Sequence, residues 1–228
     1  MEIDLFPAGD RGLVAVCGAE IAPRIGDRVA ALDCAVKAAR LRGVVETVPA
    51  FASLLVQYDP LQTDYDTLAA VIRPLAAQLH ADRRRGGRVI TIPVCYGGEY
   101  GPDLGFVARH AGLSEEEVVR RHTAPRYRIY MLGFLPGFPY LGGLDPALFT
   151  PRLENPRTAI PAGAVGIGGQ QTGIYPMASP GGWQLIGRTP LRLFAPDRPP
   201  RYAAGDEICF EAVTPAEFRA LAQKEAAQ

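Results

Sequence analysis

Glycine and proline crowd residues 132–190 of this 228-residue chain, and that crowding limits what the chain can fold into more than any other feature. The stretch holds LGFLPGFPYLGGLDP (132–146), NPR (155–157), IPAGAVGIGGQQTGIYP (160–176) and SPGGWQLIGRTP (179–190). Glycine at this density does not favour ordinary strands. It lets the backbone take positive φ or approach another group closely. Short apolar runs lie among the glycines and continue beyond them, at 127–132, 165–167, 183–186, 191–194 and 207–210. Many short strands with Gly/Pro punctuation predict a barrel or a sandwich. Two helices precede this region. One spans 102–111 and stops at Gly112. The next opens on a capping box, Ser114 with Glu117, and runs to about His122. Thr214 and Glu217 form another box, so a helix is expected to about Gln223.

The first part of the chain reads differently. A buried strand is expected at 13–17 (LVAVC). Pro23 then suits a first helical position, Val29, Leu32, Val36 and Ala39 recur at helical spacing, and Gly43 suits the stop. Strands follow at 44–48 and 54–58, close enough for an antiparallel hairpin. Leu68, Val71, Ile72, Leu75 and Leu79 mark another helix, which Pro74 should kink or show to begin late. Residues 83–88 form a polar break before a strand at 89–96. The fold class is therefore α+β: a ferredoxin-like βαββαβ domain over residues 1–90, then a β-barrel domain with a C-terminal helix over residues 91–228.

Bulk properties exclude several functions. Lys+Arg and Asp+Glu both number 24. No large basic field exists to attract nucleic acid or a membrane surface. The lysines are Lys37 and Lys224, so few amines serve Schiff-base or phosphate chemistry. Cys17, Cys34, Cys95 and Cys209 lack metal-ligand spacing and read as buried apolar residues in a reducing compartment. No metal site is expected. The N-terminus lacks signal-peptide features, and no apolar run reaches membrane-spanning length, so the expected location is cytoplasmic.

Familiar catalytic motifs are missing. GAVGIGG (163–169) has no following Lys, so it is no phosphate loop. MASPG around Ser179 lacks the first Gly of a nucleophile elbow, and Ser179 reads as a turn hydroxyl. What the Gly-rich stretch does offer is a mixture of apolar wall and directed polar groups, as a concave site needs. Phe138 and Trp183 read as wall or core. Tyr175 is open between wall and ligand contact. Gly166, Gly168 and Gly169 bring backbone close to a ligand or simply turn a tight barrel. Gln170 and Gln171 either hydrogen-bond an amide or satisfy loop backbone. Arg157 and Arg188 flank the stretch, and each either binds an anion or closes a salt bridge. His122 is either a helix-end histidine facing the dipole or a proton donor near the pocket. His80 and His110 read as helix-end surface residues. Asp103, Asp145 and Asp206 adjoin Pro or Gly and read as turn and capping residues.

The Gly-rich runs, together with VCYGGEYGPDL (94–104), LSEEEVVRRH (113–122) and VPAFASLLVQYDP (48–60), resemble the KipI family, also called the 5-oxoprolinase B subunit or allophanate hydrolase subunit 1. The resemblance spans essentially the whole chain. It implies a cyclophilin-like barrel, pairing with a homologue of the 5-oxoprolinase C subunit, and a LamB/YcsF-type A subunit. The implied reaction opens the lactam 5-oxo-L-proline to L-glutamate, driven by ATP hydrolysis. ATP, with Mg, is the implied cofactor, held here or mainly on a partner. His122, Arg157 and Arg188 are the implied catalytic residues. Phe138, Gly166, Gly168, Gly169, Gln170, Gln171, Tyr175 and Trp183 are the implied substrate contacts. One departure is Ala164, where the family pattern PAGSVGIGG has Ser; a structural position is expected there. Other members suggest alternatives: inhibition of a sporulation-type histidine kinase, or half of a biotin-dependent carboxyltransferase as in urea carboxylase. The chain has no Met-Lys-Met biotinylation site.

Overall fold

The computed structural model describes residues 2–79, 87–198 and 201–227. The chain forms two units, Met1–Arg85 and Gly86–Gln228. The first contains β1 (Asp4–Pro7), β2 (Gly12–Val16), α1 (Pro23–Ala39), β3 (Val44–Pro49), β4 (Ser53–Tyr58) and α2 (Tyr65–Ala77). Its sheet has the order β1-β2-β4-β3, antiparallel throughout. Leu13, Ala15, Leu54 and Val56 alternate onto the covered face. Ile25, Val29, Leu32 and Val36 of α1 and Leu68, Ile72 and Ala76 of α2 close on it at helical spacing. Asp64 caps α2 by accepting from the Thr67 amide at 2.7 Å.

This topology corrects the βαββαβ expectation. The split crossover is present, because β2 and β3 run in the same direction with β4 between them. The edge place beside β2, however, is filled by β1 and not by residues 89–96, which belong to the second unit. The segment DLFP reads poorly as a strand because only Leu5 is buried. Two helix signals also shift. Arg40, not Gly43, caps α1 in the left-handed region at φ 46°. Pro74 lies inside α2, which begins at Tyr65 rather than late; it removes the bond to the carbonyl of residue 70, and the helix ends three residues on, at Ala77. The reading of His80, and most of that of 83–88, falls outside the described residues.

The second unit contains β5 (Val89–Tyr96), α3 (Leu104–Ala111), α4 (Glu115–Thr123), β6 (Tyr127–Leu132), β7 (Pro139–Gly142), β8 (Arg157–Ile160), β9 (Ala164–Gly168), β10 (Gln171–Ile174), β11 (Ser179–Gly181), β12 (Gln184–Arg188), β13 (Glu207–Ala212) and α5 (Pro215–Ala226). Seven strands close a barrel in the order β10-β7-β6-β13-β5-β12-β9, and β9 pairs back onto β10. β8 and β11 form a separate two-stranded ribbon. Residues 191–194 are irregular rather than a strand, although Leu193 is buried; Pro190 and Pro196 bracket the run and remove ladder donors. Ile92, Ile129, Leu141, Ile167, Ile186 and Ile208 fill the interior.

The capping box of α5 is complete. At α4 only half forms. Ser114 Oγ accepts from the Glu117 amide, but the Glu117 carboxylate turns to Arg120 and Arg121. Those guanidiniums hold it down at about 2. The cysteines also need correction: Cys17 and Cys95 are buried, but Cys209 is half-buried and Cys34 exposed. Among the described residues no helix is long and apolar enough to cross a membrane.

Candidate functional site

The glycines of β9–β12 make sense once a side chain is imagined on them. A Cβ on Gly168 would stand 2.5 Å from the Trp183 indole. One on Gly173 would stand 2.9 Å from Phe138 and 3.0 Å from Trp183. One on Gly181 would stand 2.6 Å from the Tyr175 hydroxyl, and one on Gly166 would press on Trp183 Cβ at 3.2 Å. These glycines are flat beds for aromatic rings, not positions of unusual φ. Gly169 differs: it opens the two-residue turn between β9 and β10 at φ 66°.

The rings laid on these beds pack edge to face. Phe138 meets Trp183 at 5.5 Å and 82°, Tyr175 at 5.4 Å and 77°, and Tyr140 at 5.2 Å and 64°. Ile160, Ala164 and Leu185 back them. Ala164 thus stands in the packed backing at 1% exposure and does not line the cavity.

A cavity of about 360 Å³ opens on this cluster. That is within the usual range for small-molecule sites, about 300–1,000 Å³. Phe134 and Tyr140 line one side and Arg152, Leu153 and Pro156 another. Phe138, Tyr175, Trp183 and the 180–182 backbone complete it. Cavities of about 380 and 350 Å³ indent the first unit, but none of the candidate residues lines either.

Two arginines approach the cluster with opposite fates. Arg157 on β8 is occupied. Its Nη2 donates to Asp103 at 2.7 Å and its Nη1 to the Trp183 carbonyl at 3.4 Å. Asp103 also accepts from the Leu185 amide at 2.6 Å, so it ties chain segments together and does not cap α3 as a turn residue should. Arg152 has no such partner among the described residues. Its guanidinium carbon lies 5.8 Å above the Trp183 ring. Burial pushes the Tyr175 phenol upward, opposed by a hydrogen bond to the Trp183 backbone and by both arginines.

The other candidates sit elsewhere. Arg188 donates to the Ala162 carbonyl at 2.9 Å and does not line the cavity. Gln170 is exposed and Gln171 half-buried at the β9–β10 turn, and neither lines it. Ser179 is on β11, where its hydroxyl donates to the Pro180 carbonyl. His110 is an exposed helix-end residue stacked on Phe106.

His122 is fully buried and ringed by Tyr96, Tyr127 and Phe210. Nδ1 is 2.8 Å from the Tyr96 hydroxyl, and Nε2 is 2.8 Å from Thr172 Oγ1. Thr172 gives its one hydrogen to the Gly166 carbonyl. Nε2 must therefore donate to Thr172, and Nδ1 must accept from Tyr96. Burial pushes the imidazole down to about 3. This neutral, doubly satisfied group holds helix to barrel.

Arg152 and Leu153 lie outside every stretch that the sequence singles out, and Phe134 and Tyr140, part of its interleaved aromatic and polar side chains, are not among the contacts expected from it. The backbone around Arg152 is nonetheless well built. Thr150 and Gly169 exchange backbone hydrogen bonds, buried Gln184 donates to the Pro151 carbonyl, and the Leu153 amide donates to the Gly182 carbonyl.

Comparison with known proteins gives a consistent picture. Residues 3–203 match the family described as carboxyltransferase domain, subdomain C and D. The 5-oxoprolinase B subunit of Bacillus subtilis (strain 168) is 40% identical over 228 residues, covering 95% of both chains. The chain belongs to the 5-oxoprolinase B-subunit family. The Haemophilus influenzae member of that name is 47% identical over 169 residues, 73% of this chain and 78% of that one. The crystal structure of Kluyveromyces lactis urea carboxylase overlays 98% of this chain with 23% of its own, at a TM-score of 0.83 and 22% identity. That likeness establishes shared fold between the 5-oxoprolinase B-subunit family and urea carboxylase, and nothing finer.

Proposed function

We propose that this chain is the B subunit of an ATP-dependent 5-oxoprolinase, opening 5-oxo-L-proline to L-glutamate with a C-subunit homologue and a LamB/YcsF-type A subunit. The observation that carries this reading is the end-to-end similarity to the Bacillus subtilis protein of that name. The aromatic cavity supports it, because a small cyclic amide has a flat apolar ring and a few polar atoms.

The chemistry explains why several chains are needed. Amide resonance stabilises the lactam bond, and the ring is too little strained to offset it. ATP supplies the driving force when bound. The cavity does not suit ATP: Arg152 is its one charged lining residue among the described residues, and a triphosphate needs several cations or a phosphate-cradling loop. This reading assigns ATP, with Mg, mainly to a partner chain. This chain's own part is to hold the ring against Trp183 and Phe138. Its cavity has an exposed rim at Phe134 and Arg152, so a companion chain must close it to exclude water.

The test is reconstitution. Purified chain mixed with both partners should hydrolyse ATP only when 5-oxoproline is present. ATP turnover that ignores 5-oxoproline, or none at all, sinks the reading. A second reading, half of a carboxyltransferase, draws on the family match over residues 3–203. It requires the same mixture to transfer a carboxyl group from supplied carboxybiotin to an acceptor.

A further inference from the structure

The feature of the cavity that the reading above leaves unassigned is a guanidinium without a carboxylate. Arg152 faces the cavity from a loop held at Thr150, Pro151 and Leu153, and it is the one charged lining residue among those described. Its neighbour Arg157 is consumed by Asp103 and the Trp183 carbonyl. Arg152 instead rests as a cation above the Trp183 indole. That contact engages the π face of the ring and leaves the guanidinium N–H groups without an acceptor among the described residues. An arginine in this state is ready to grip a planar anion with two parallel hydrogen bonds.

We propose that Arg152 binds the carboxylate of a small cyclic amide acid whose ring lies on the wall formed by Trp183 and Phe138. This rests on the 5-oxoprolinase reading and assigns the part of the substrate that this chain recognises. A single guanidinium matches a monoanion, whereas a nucleotide carries several charges. The aromatic wall matches a flat ring. Because the glycines beneath Trp183 and Phe138 seat both rings closely, the wall is preformed before the ligand arrives. Arg152 then acts as a specificity residue. It separates an acid such as 5-oxoproline from 2-pyrrolidinone, the same ring without the carboxylate.

Trp183 is the chain's one tryptophan, so its fluorescence reports this wall directly. Two measurements test the proposal together. In the reconstituted complex, Arg152→Gln should raise the KM for 5-oxoproline at least tenfold and leave kcat within about twofold, with Arg152→Lys falling between. In the isolated full chain, 5-oxoproline should change Trp183 emission saturably, 2-pyrrolidinone should do so at least tenfold more weakly, and Arg152→Gln should erase the difference. An unchanged KM in Arg152→Gln overturns the assignment while leaving the 5-oxoprolinase reading intact. If the wild-type complex shows no 5-oxoproline-dependent ATP hydrolysis, that reading falls. The fluorescence titration then decides Arg152 alone: equal response to the two lactams, or none, overturns it.

Discussion

The barrel unit holds two aromatic clusters, one enclosing His122 and the other carrying Arg152 at its rim, and their surroundings give these basic groups opposite characters. His122 lies wholly inside, between Tyr96, Tyr127 and Phe210, with both ring nitrogens satisfied. Arg152 lies at an open cavity beside Phe138, Tyr175 and Trp183, with no carboxylate beside it among the described residues. Burial removed the charge from the first group and turned it into a rivet. Access to water let the second keep its charge and left its donors free. A basic residue among aromatics is thus no signature of a site by itself; the free donor is.

The largest effect should come from His122→Ala. It opens a cavity and strands the Tyr96 and Thr172 hydroxyls, so about 3–5 kcal/mol of stability should be lost in denaturant unfolding. A loss below about 1 kcal/mol would place His122 with the adaptable groups and erase the contrast. Gly168→Ala comes next. Its new methyl meets the indole, and about 1–3 kcal/mol of overpacking strain is expected, with a shift in Trp183 emission. Unshifted emission would mean that the bed is not rigid.

The pH dependence sharpens the comparison further. Unfolded, the imidazole takes a proton near about 6.5. Folded, it takes none until about 3. Between these values the unfolded chain binds more protons, so stability falls as the pH falls, by about 1.4 kcal/mol per pH unit at most from this group. Unfolding series on wild type and His122→Gln should differ by that slope between those limits and run parallel above about pH 7. Identical slopes would show that His122 is not held neutral. Smallest of all, Arg188→Ala removes one half-exposed hydrogen bond and should move stability by no more than about 0.5 kcal/mol.

Much of the fold was legible because local rules decided it. The short apolar runs of β2 and β4, helical spacing in α1 and the cap of α5 need no distant partner. The edge of the first sheet was not legible, since DLFP carries one buried residue and its place beside β2 is a tertiary choice. At the site, Phe138, Tyr175 and Trp183 could be named because aromatic and polar side chains interleave in the Gly-rich stretch, as in the family it resembles. Choosing between Arg152 and Arg157 was beyond reach. It turns on Asp103, which lies 54 residues from the arginine it captures. His122 did leave a trace: it follows Val118 by one helical turn, on the same buried face. Spacing alone could not say whether that face met a pocket or a filled core.

The pairing of β5 with β13 has a consequence for how the protein is made. These strands run parallel over six registered residues, Val89–Val94 against Glu207–Ala212, and β13 also borders β6. A ribosome that has released everything up to residue 200 has delivered six of the seven staves, yet β5 and β6 still show bare edges to solvent. The cradle for a ligand can settle only after the last stave arrives. A chain shortened before Glu207 should therefore stick to its neighbours rather than merely work less well.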